Sequence, residues 1–554
     1  MPAQPTRRRI LASGTALAAS AAQTNQPYWS ISDEVIRRHD EGVERLLQSQ
    51  TMDPASPWRG GVPDAFGLHN GGSPSGILIH FTAAMVQPRS RYFKSRLLME
   101  RMQLAAQFMN RKVSADGNYD LLITNFNSPP DTAFITLNLA SAAFLARKQG
   151  NREIETLLEP LVRRSGAALA KGGIHTPNHR WVACAAMSQV HELYPDPRYL
   201  RRIDQWLAEG IDIDSDGQYT ERSTVTYNGI TNRAFTVMAI KLKRPELLDP
   251  VRRNLNSMLY LLHAGTEVVT EISRRQDQYT RGGLGNYWLA LRYLALQDGN
   301  GQYETLARRH APGLGELMEH DELTKPGPEP APVPENYEKR FPFLAVSRIR
   351  RGLTSATIIE KGNSRFFTLR RGQAVIEAVR FASAFFGKGQ FVPQNGGRRG
   401  ARYELRQDLT GPYYQPLDPA RTVGTEDWDQ VRKLRKQTEV CHMRHSAVIT
   451  ERKDGFDLRV RAEGTRDVPV AIEISLREGG NLAGVQPAPQ VTDGFLLPSG
   501  HATYTVGNDT IRFGPGLGEH QYTQVRGAQP KLPGQSVYLT GYAPLDHTIE
   551  FRWA

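Results

Sequence analysis

The sequence predicts an α+β multidomain chain, an N-terminal α/α toroid followed by a C-terminal antiparallel β-sandwich. Three observations carry this prediction. From about Ser32 to Glu319, apolar residues recur at three- and four-residue spacing, the mark of helices with one buried face. At Lys325-Pro-Gly-Pro-Glu-Pro-Ala-Pro-Val-Pro334, five alternating prolines forbid a helix and favour an extended connector. Beyond it the period becomes two, as in half-buried strands.

Residues 1–22 read as a twin-arginine-type export signal. Arg7-Arg8-Arg9 precede Ile10-Leu11, a weakly apolar Ala-rich stretch runs to Ala22, and Ala19-Ser20-Ala21 supply small residues for cleavage. Such a signal implies a periplasmic or secreted protein. Residues 23–324 form the expected toroid. Its helical patterns lie at Tyr92–Met109, Thr132–Arg147, Glu153–Ala170, Arg180–Leu193, Tyr199–Ala208, Ile230–Leu242, Pro250–His263 and Tyr287–Leu296. Short connections rich in Gly, Pro, Asn and Asp favour antiparallel hairpins of helices. Residues 325–336 are the Pro-rich linker. Residues 337–554 are the β part, with alternation at Ala356–Glu360, Arg365–Leu369, Ala374–Arg380, Phe456–Ala462, Val470–Leu476, Thr503–Val506, Thr510–Phe513, Val537–Thr540 and Thr548–Trp553. The basic stretch Arg432–Arg444 reads as a connector or an exposed edge. Glycine-rich 394–400 lacks the strand–turn–helix setting of a phosphate loop and reads as a β-part loop reaching toward a groove.

Composition narrows the function. With 554 residues the chain exceeds one small module, and 23% charged residues match an ordinary globular protein. No apolar run approaches the roughly 20 residues that span a bilayer, so membrane insertion is not expected. Cys184 and Cys441 are too few for a disulfide framework or a zinc cage and read as free thiols. The net charge of +12 falls to about +9 without the three signal arginines and suits an anionic partner. The basic residues are dispersed and no nucleic-acid motif is present, so nucleic acid is not the expected partner. Oligomeric state is not legible.

Three loops concentrate polar residues: Gly173–Trp181, Asp216–Gly229 and Glu271–Asp277. Their residue types suit β-elimination of a uronate. That reaction removes the C5 proton beside a carboxylate and expels the oxygen at C4. The carboxylate must be neutralised by an Asn amide, a His or an Arg, and a base and an acid must reach C5 and O4. Asn178, His179, Tyr227 and Arg274 or Arg275 supply this set without a metal.

Asn178-His179 opening a helix, with Asp216-Gly217-x-Tyr219 and Tyr227-Asn228-Gly229 some fifty residues on, resembles the toroid polysaccharide lyases. These comprise the heparinase II/III and alginate lyase group and the hyaluronate, chondroitin and xanthan lyases. Ser273-Arg274-Arg275 resembles the arginine loop of the latter group. The resemblance implies a carbon–oxygen lyase acting on an acidic polysaccharide or oligosaccharide. Asn178 would neutralise the carboxylate, and Tyr227 would be the base and also serve as acid. His179 would be a second neutraliser or the partner base, and Arg274 or Arg275 would bind the uronate or assist the tyrosine. Where the second group has a His in the Asp-Gly segment, this chain has Glu221-Arg222-Ser223. Arg275, Glu221, Asn228, Trp181, Asn127 and Asp131 complete the expected substrate-binding set, with Trp58 and His69 as further groove residues. No cofactor is required. A structural metal in the β part is left open and unassigned, and His442 and His445 are the β-part histidines to test. The alternatives are a toroid glycoside hydrolase using Asp131 and Glu221, and a non-catalytic glycan-binding protein.

Overall fold

The computed structural model describes residues 28–418, 428–489 and 491–553; the export signal expected at 1–22 lies outside them. The described chain forms two compact units. The first contains residues 28–259 and 270–333, and the second contains residues 260–269 and the described residues from 334 on. The ten residues 260–269, which the helical pattern partly covers, therefore cluster with the β part.

The first unit is built from twelve described helices: α1 (Asp33–Ser49), α2 (Ser75–Val86), α3 (Arg96–Lys112), α4 (Pro129–Lys148), α5 (Arg152–Leu169), α6 (Pro177–Leu193), α7 (Pro197–Ala208), α8 (Tyr227–Leu242), α9 (Asp249–Met258), α10 (Trp288–Asp298), α11 (Gly301–Ala307) and α12 (Leu314–Glu319). They fall into two layers. Helices α2, α4, α6, α8 and α10 pack successively on one another, and each also packs on an outer partner: α3, α5, α7, α9 or α11. Sequence sets the layer. Fourteen of the seventeen residues of α6 are buried, against only Tyr199 and Ile203 in the strongly amphipathic α7. Helix α12 returns to α1, α2 and α4, bringing the end of the series back to its start. Polar bonds reinforce this closure. Trp29 Nε1 donates to Glu304 (2.9 Å), whose other oxygen takes Arg292 Nη1 (2.7 Å) in a fully buried ion pair.

The Pro-rich segment is docked on this unit. Ala331 N donates to Gly301 O (2.9 Å), Gln302 Nε2 to Pro332 O (2.9 Å) and Thr305 Oγ1 to Ala331 O (2.7 Å), and Val333 is buried.

The second unit contains two sheets around one core. The eight-stranded sheet runs from Asn481–Ala483 through Ala502–Val506, Asp509–Gly514, Leu545–Arg552, Gly455–Gly464, Gln437–Arg452 and Arg402–Tyr414 to Asn395–Arg399. The ten-stranded sheet runs from Gln486–Pro487 through Gly494–Leu496, Ser536–Tyr542, Pro469–Leu476, Ala374–Ser383, Phe367–Arg371, Thr354–Ile359 and Val346–Arg351 to Asn336–Phe341. Gly389–Gln390 pairs beside Ala374–Ser383. All pairings are antiparallel except that of Gly494–Leu496 with Ser536–Tyr542. Ile358, Leu369, Ile376 and Ile474 from one sheet share a core with Ile449, Leu458, Ile549 and Phe551 from the other. Each such side chain contributes about 1.5–3 kcal/mol of burial.

Two sequence expectations change here. The Arg432–Arg444 stretch is no connector or edge beyond its first residues. From Gln437 it is an interior strand, paired with Arg402–Tyr414 on one side and Gly455–Gly464 on the other. Met443, His445, Ala447 and Ile449 alternate inward, while Arg444 donates to Asp408 on the neighbouring strand (2.8 Å). The glycine-rich stretch is the true edge. Asn395–Arg399 is a charged strand joined to the next through Gly400 at φ 60°.

Candidate active site

Two helix starts and one loop of the first unit build the site. Thr176 is the N-cap residue of α6 and Pro177 its first residue, so Asn178 and His179 stand in the first turn. Tyr227 is the first residue of α8, and Gly229 follows because a Cβ there would meet Asn286 Cβ at 2.7 Å. The third contributor, residues 271–278, is tied to the Tyr227 segment by buried Asp277. Its carboxylate accepts from Ser223 Oγ (2.8 Å), Val225 N (3.1 Å), Thr226 N (3.3 Å) and Ser273 Oγ. Ser223 Oγ in turn accepts from Tyr227 N at 2.9 Å, which fixes the start of α8. Arg222 lies in left-handed backbone (φ 52°), where the chain turns between Glu221 and Ser223.

The side chains of these three segments converge. Asn178 Nδ2 donates to the Glu221 carboxylate. Arg275 Nε lies 3.9 Å from the same carboxylate, and its guanidinium carbon is 5.2 Å from the Tyr227 ring centroid. Gln276 Nε2 donates to the Tyr227 hydroxyl oxygen at 2.8 Å. His179 Nδ1 is 2.8 Å from Thr176 Oγ1, and its ring meets that of His175 edge-on at 4.9 Å. Asn178 Oδ1, Glu221 Oε1 and Arg275 Nε are buried without a hydrogen-bond partner. Buried polar atoms are nearly always bonded, so three neighbouring exceptions leave hydrogen-bonding capacity unused at this place.

Burial, with the charges of His175 and Arg275, pushes His179 down to about 4 against the partial pull of Asp131. His179 is therefore a neutral imidazole near pH 7. Burial raises Glu221 above the usual carboxylate range, and the Asn178 bond and Arg275 oppose that shift. An amide nitrogen carries two hydrogens, and Glu221 engages one of those on Asn178.

The structure thus brings together Asn178, His179, Glu221, Tyr227 and Arg275. Of the two arginines, Arg275 is the one beside Tyr227. Arg274 is exposed, its side chain reaching only Thr220 O at 3.5 Å. Trp181 is not a groove residue. One turn on from Asn178 it points into the core, where Nε1 donates to Asp212 (2.8 Å) and the ring packs on Phe235. Asn228 is also fully buried, its amide donating to Gln218 Oε1 (2.8 Å). Asn127 spends its side chain on Ser114, Asn118 and Asp116. Asp131 accepts from Ser128 Oγ (2.5 Å) and Asn125 Nδ2 (2.8 Å) at the start of α4, an end-capping role that also places its charge near His179. Trp58 stacks on His69 and carries Lys112 Nζ 4.0 Å from its ring centroid. Gln276, Asp277 and His175 belong to the site although sequence reasoning gave them no role. The Ser273/Asp277 spacing beside Ser223 was the available signal.

In the second unit, His445 is fully buried between Gln407 and Ser383, and burial pushes it down to about 4; it is a core histidine. His442 is exposed on the same strand. Among the described residues no three His, Cys, Asp or Glu form a group able to hold a metal ion, and no helix is long and apolar enough to cross a membrane.

A closed series of helical hairpins followed by a two-sheet sandwich is the fold of the toroid polysaccharide lyases. Among the solved structures that resemble it are three lyases. The first is chondroitin AC lyase of Streptomyces coelicolor A3 in complex with chondroitin sulphate (TM-score 0.54, 14% identity, 94% of this chain and 79% of that one). The second is a Paenibacillus xanthan lyase (TM-score 0.57, 10% identity), where 95% of this chain spans 58% of the other. The third is a chondroitinase AC lyase studied as enzyme–oligosaccharide complexes (TM-score 0.51, 9% identity, 93% and 80% covered). At these identities the likeness is one of fold. No family model matches the chain, and no curated protein matches it.

Proposed function

We propose that this protein is an exported polysaccharide lyase that cleaves a uronic-acid-containing glycan by β-elimination. The observation that carries the reading is the grouping of Tyr227, Arg275, Asn178 and His179 around one partly unbonded polar surface, within a fold shared with polysaccharide lyases. The uronate carboxylate takes an N–H of Asn178 and the charge of Arg275, so the negative charge that develops there is stabilised. Neutral His179 adds a hydrogen-bonding group without repelling Arg275. Gln276 holds the Tyr227 oxygen in place. The Tyr227 oxygen takes the C5 proton, the C4–O4 bond breaks, and a C4=C5 double bond forms as O4 leaves with the electron pair. The proton gained by Tyr227 then passes to O4. No cofactor takes part. Glu221 positions the Asn178 amide.

The test is incubation of the purified protein with a panel of acidic polysaccharides while following near-ultraviolet absorbance of the unsaturated product. Wild type yields that product and Tyr227→Phe loses at least about a hundredfold in rate. A fully active Tyr227→Phe, or chain cleavage without the absorbing product, refutes the assignment. Fractionation of the native host, with Arg7 and Arg8 both changed to Lys as control, tests export.

A further inference from the structure

The second unit contains a cleft of about 560 Å³ lined by residues of both sheets. That volume suits a small-ligand site, and nothing in the elimination chemistry uses it. Its wall carries five cations, Arg351, Arg371, Arg398, Arg452 and Lys453, against two carboxylates, Glu338 and Glu451. Both carboxylates are already engaged. Glu451 pairs with Arg351 (2.8 Å), while Glu338 pairs with Arg398 (2.8 Å) and accepts the Tyr403 hydroxyl. Arg452 is held by Asp457 (2.6 Å).

Arg371 and Lys453 remain without a carboxylate partner among the described residues. Arg371 donates only to Thr354 Oγ1 (3.3 Å), and its guanidinium carbon lies 5.8 Å from the Trp553 ring centroid. Trp553 is backed by Phe456 at 6.1 Å and packs against the core, so its ring is a half-buried, fixed surface. A flat aromatic ring with a guanidinium over it that lacks a carboxylate partner fits a sugar that bears an anionic group. The ring supports the apolar face of the sugar, and the planar fork pairs with its carboxylate or sulfate.

We propose that this cleft is a docking site for an acidic oligosaccharide, with a sugar ring on Trp553 and its anionic group on Arg371 and Lys453. The choice of polymer rests on the lyase reading above, but the binding is measured apart from cleavage. The experiment is calorimetric titration of the full chain carrying Tyr227→Phe with oligosaccharides of heparin, alginate, hyaluronan and polygalacturonate. Sodium sulfate and a single-stranded DNA oligonucleotide serve as competing anions. At least one acidic oligosaccharide is expected to bind, and Arg371→Gln with Lys453→Gln weakens that binding at least tenfold. Lys433→Gln with Lys436→Gln, an equal loss of positive charge elsewhere on the unit, leaves it unchanged. Failure of every oligosaccharide to bind overturns the proposal. So does equal weakening by the two double variants, or displacement by sulfate or DNA at the same concentration as by the sugar. Retained cleft binding with no unsaturated product from wild type sinks the lyase reading alone. Normal product formation with binding indifferent to Arg371 and Lys453 sinks the cleft alone.

Discussion

Replacing Asp277 by alanine gives the sharpest test of how the loops of the candidate site are held. Asp277 is 5% exposed and accepts four hydrogen bonds, from the hydroxyls of Ser223 and Ser273 and the backbone N–H groups of Val225 and Thr226. The two hydroxyls can rotate to other acceptors in Asp277→Ala. The two backbone donors cannot, and leaving them unbonded, Val225 N buried and Thr226 N partly buried, costs about 1–3 kcal/mol each. A loss of about 4 kcal/mol follows, or roughly 8 °C in the melting temperature at about 2 °C per kcal/mol for a unit of this size. Asp277→Asn keeps the volume and one acceptor oxygen, so its loss is expected to be about 1–2 kcal/mol. Scanning calorimetry measures the stability and the unsaturated-product assay measures turnover. Because Ser223 links Asp277 to the Tyr227 backbone, turnover falls together with stability. An Asp277→Ala protein melting within about 1 °C of wild type, with undiminished turnover, would refute the argument that this carboxylate sets the site.

Arg275→Ala is expected to lose at least about thirtyfold in kcat/KM and Arg274→Ala less than about threefold, because only Arg275 stands beside Tyr227; equal losses would return the role to both. His179 is held at about 4 against an ordinary 6.5. The unfolded chain therefore takes up its proton below about pH 6.5, while the folded chain resists until about pH 4. Stability contributed by this group is present above pH 6.5 and is lost, by up to about 3 kcal/mol, as pH falls through that window. His179→Gln accordingly flattens the fall in melting temperature between pH 7 and 4.5 relative to wild type; parallel curves would contradict it. Burial raises the Cys184 thiol, and Cys441 is half-buried, so a thiol reagent should label Cys441 first in native protein and both only after unfolding. Equal labelling of the two before unfolding would count against this.

The helices were legible because their periodicity is local. The Thr132–Arg147 pattern corresponds to Pro129–Lys148, lengthened at its start by the Ser128 cap and the two prolines that follow. The strand through Met443 and Ile449 was harder to read, because its outward positions carry long cations and its partners were unknown. That Asn178, His179 and Tyr227 stand at helix starts was legible from the polar loops that precede their helical patterns. The burial of Trp181 was not, since only the packed neighbours of α6 decide which of its faces meets solvent. Asp277 was hidden for a related reason: its value lies in donors fifty residues away. The change of unit at 260–269 was equally remote, because Glu267 meets Arg370 (2.8 Å) and Arg477 (2.9 Å) more than a hundred residues downstream.

That ten-residue excursion bears on how such a gene can evolve. Residues 260–269 belong to the second unit through the Tyr337 hydroxyl on Tyr260 O (2.8 Å), Arg348 on Leu262 O (3.2 Å), Ser355 beside His263 (2.8 Å) and the Glu267 ion pairs. Neither unit is a single contiguous stretch of coding sequence. A recombination event at the Pro-rich segment would import a new sandwich while leaving behind ten residues fitted to the old one, including the carboxylate that Arg370 and Arg477 require. Exchange of the β part therefore needs two simultaneous replacements, so helical and β parts of this kind are expected to pass down lineages together rather than as interchangeable modules.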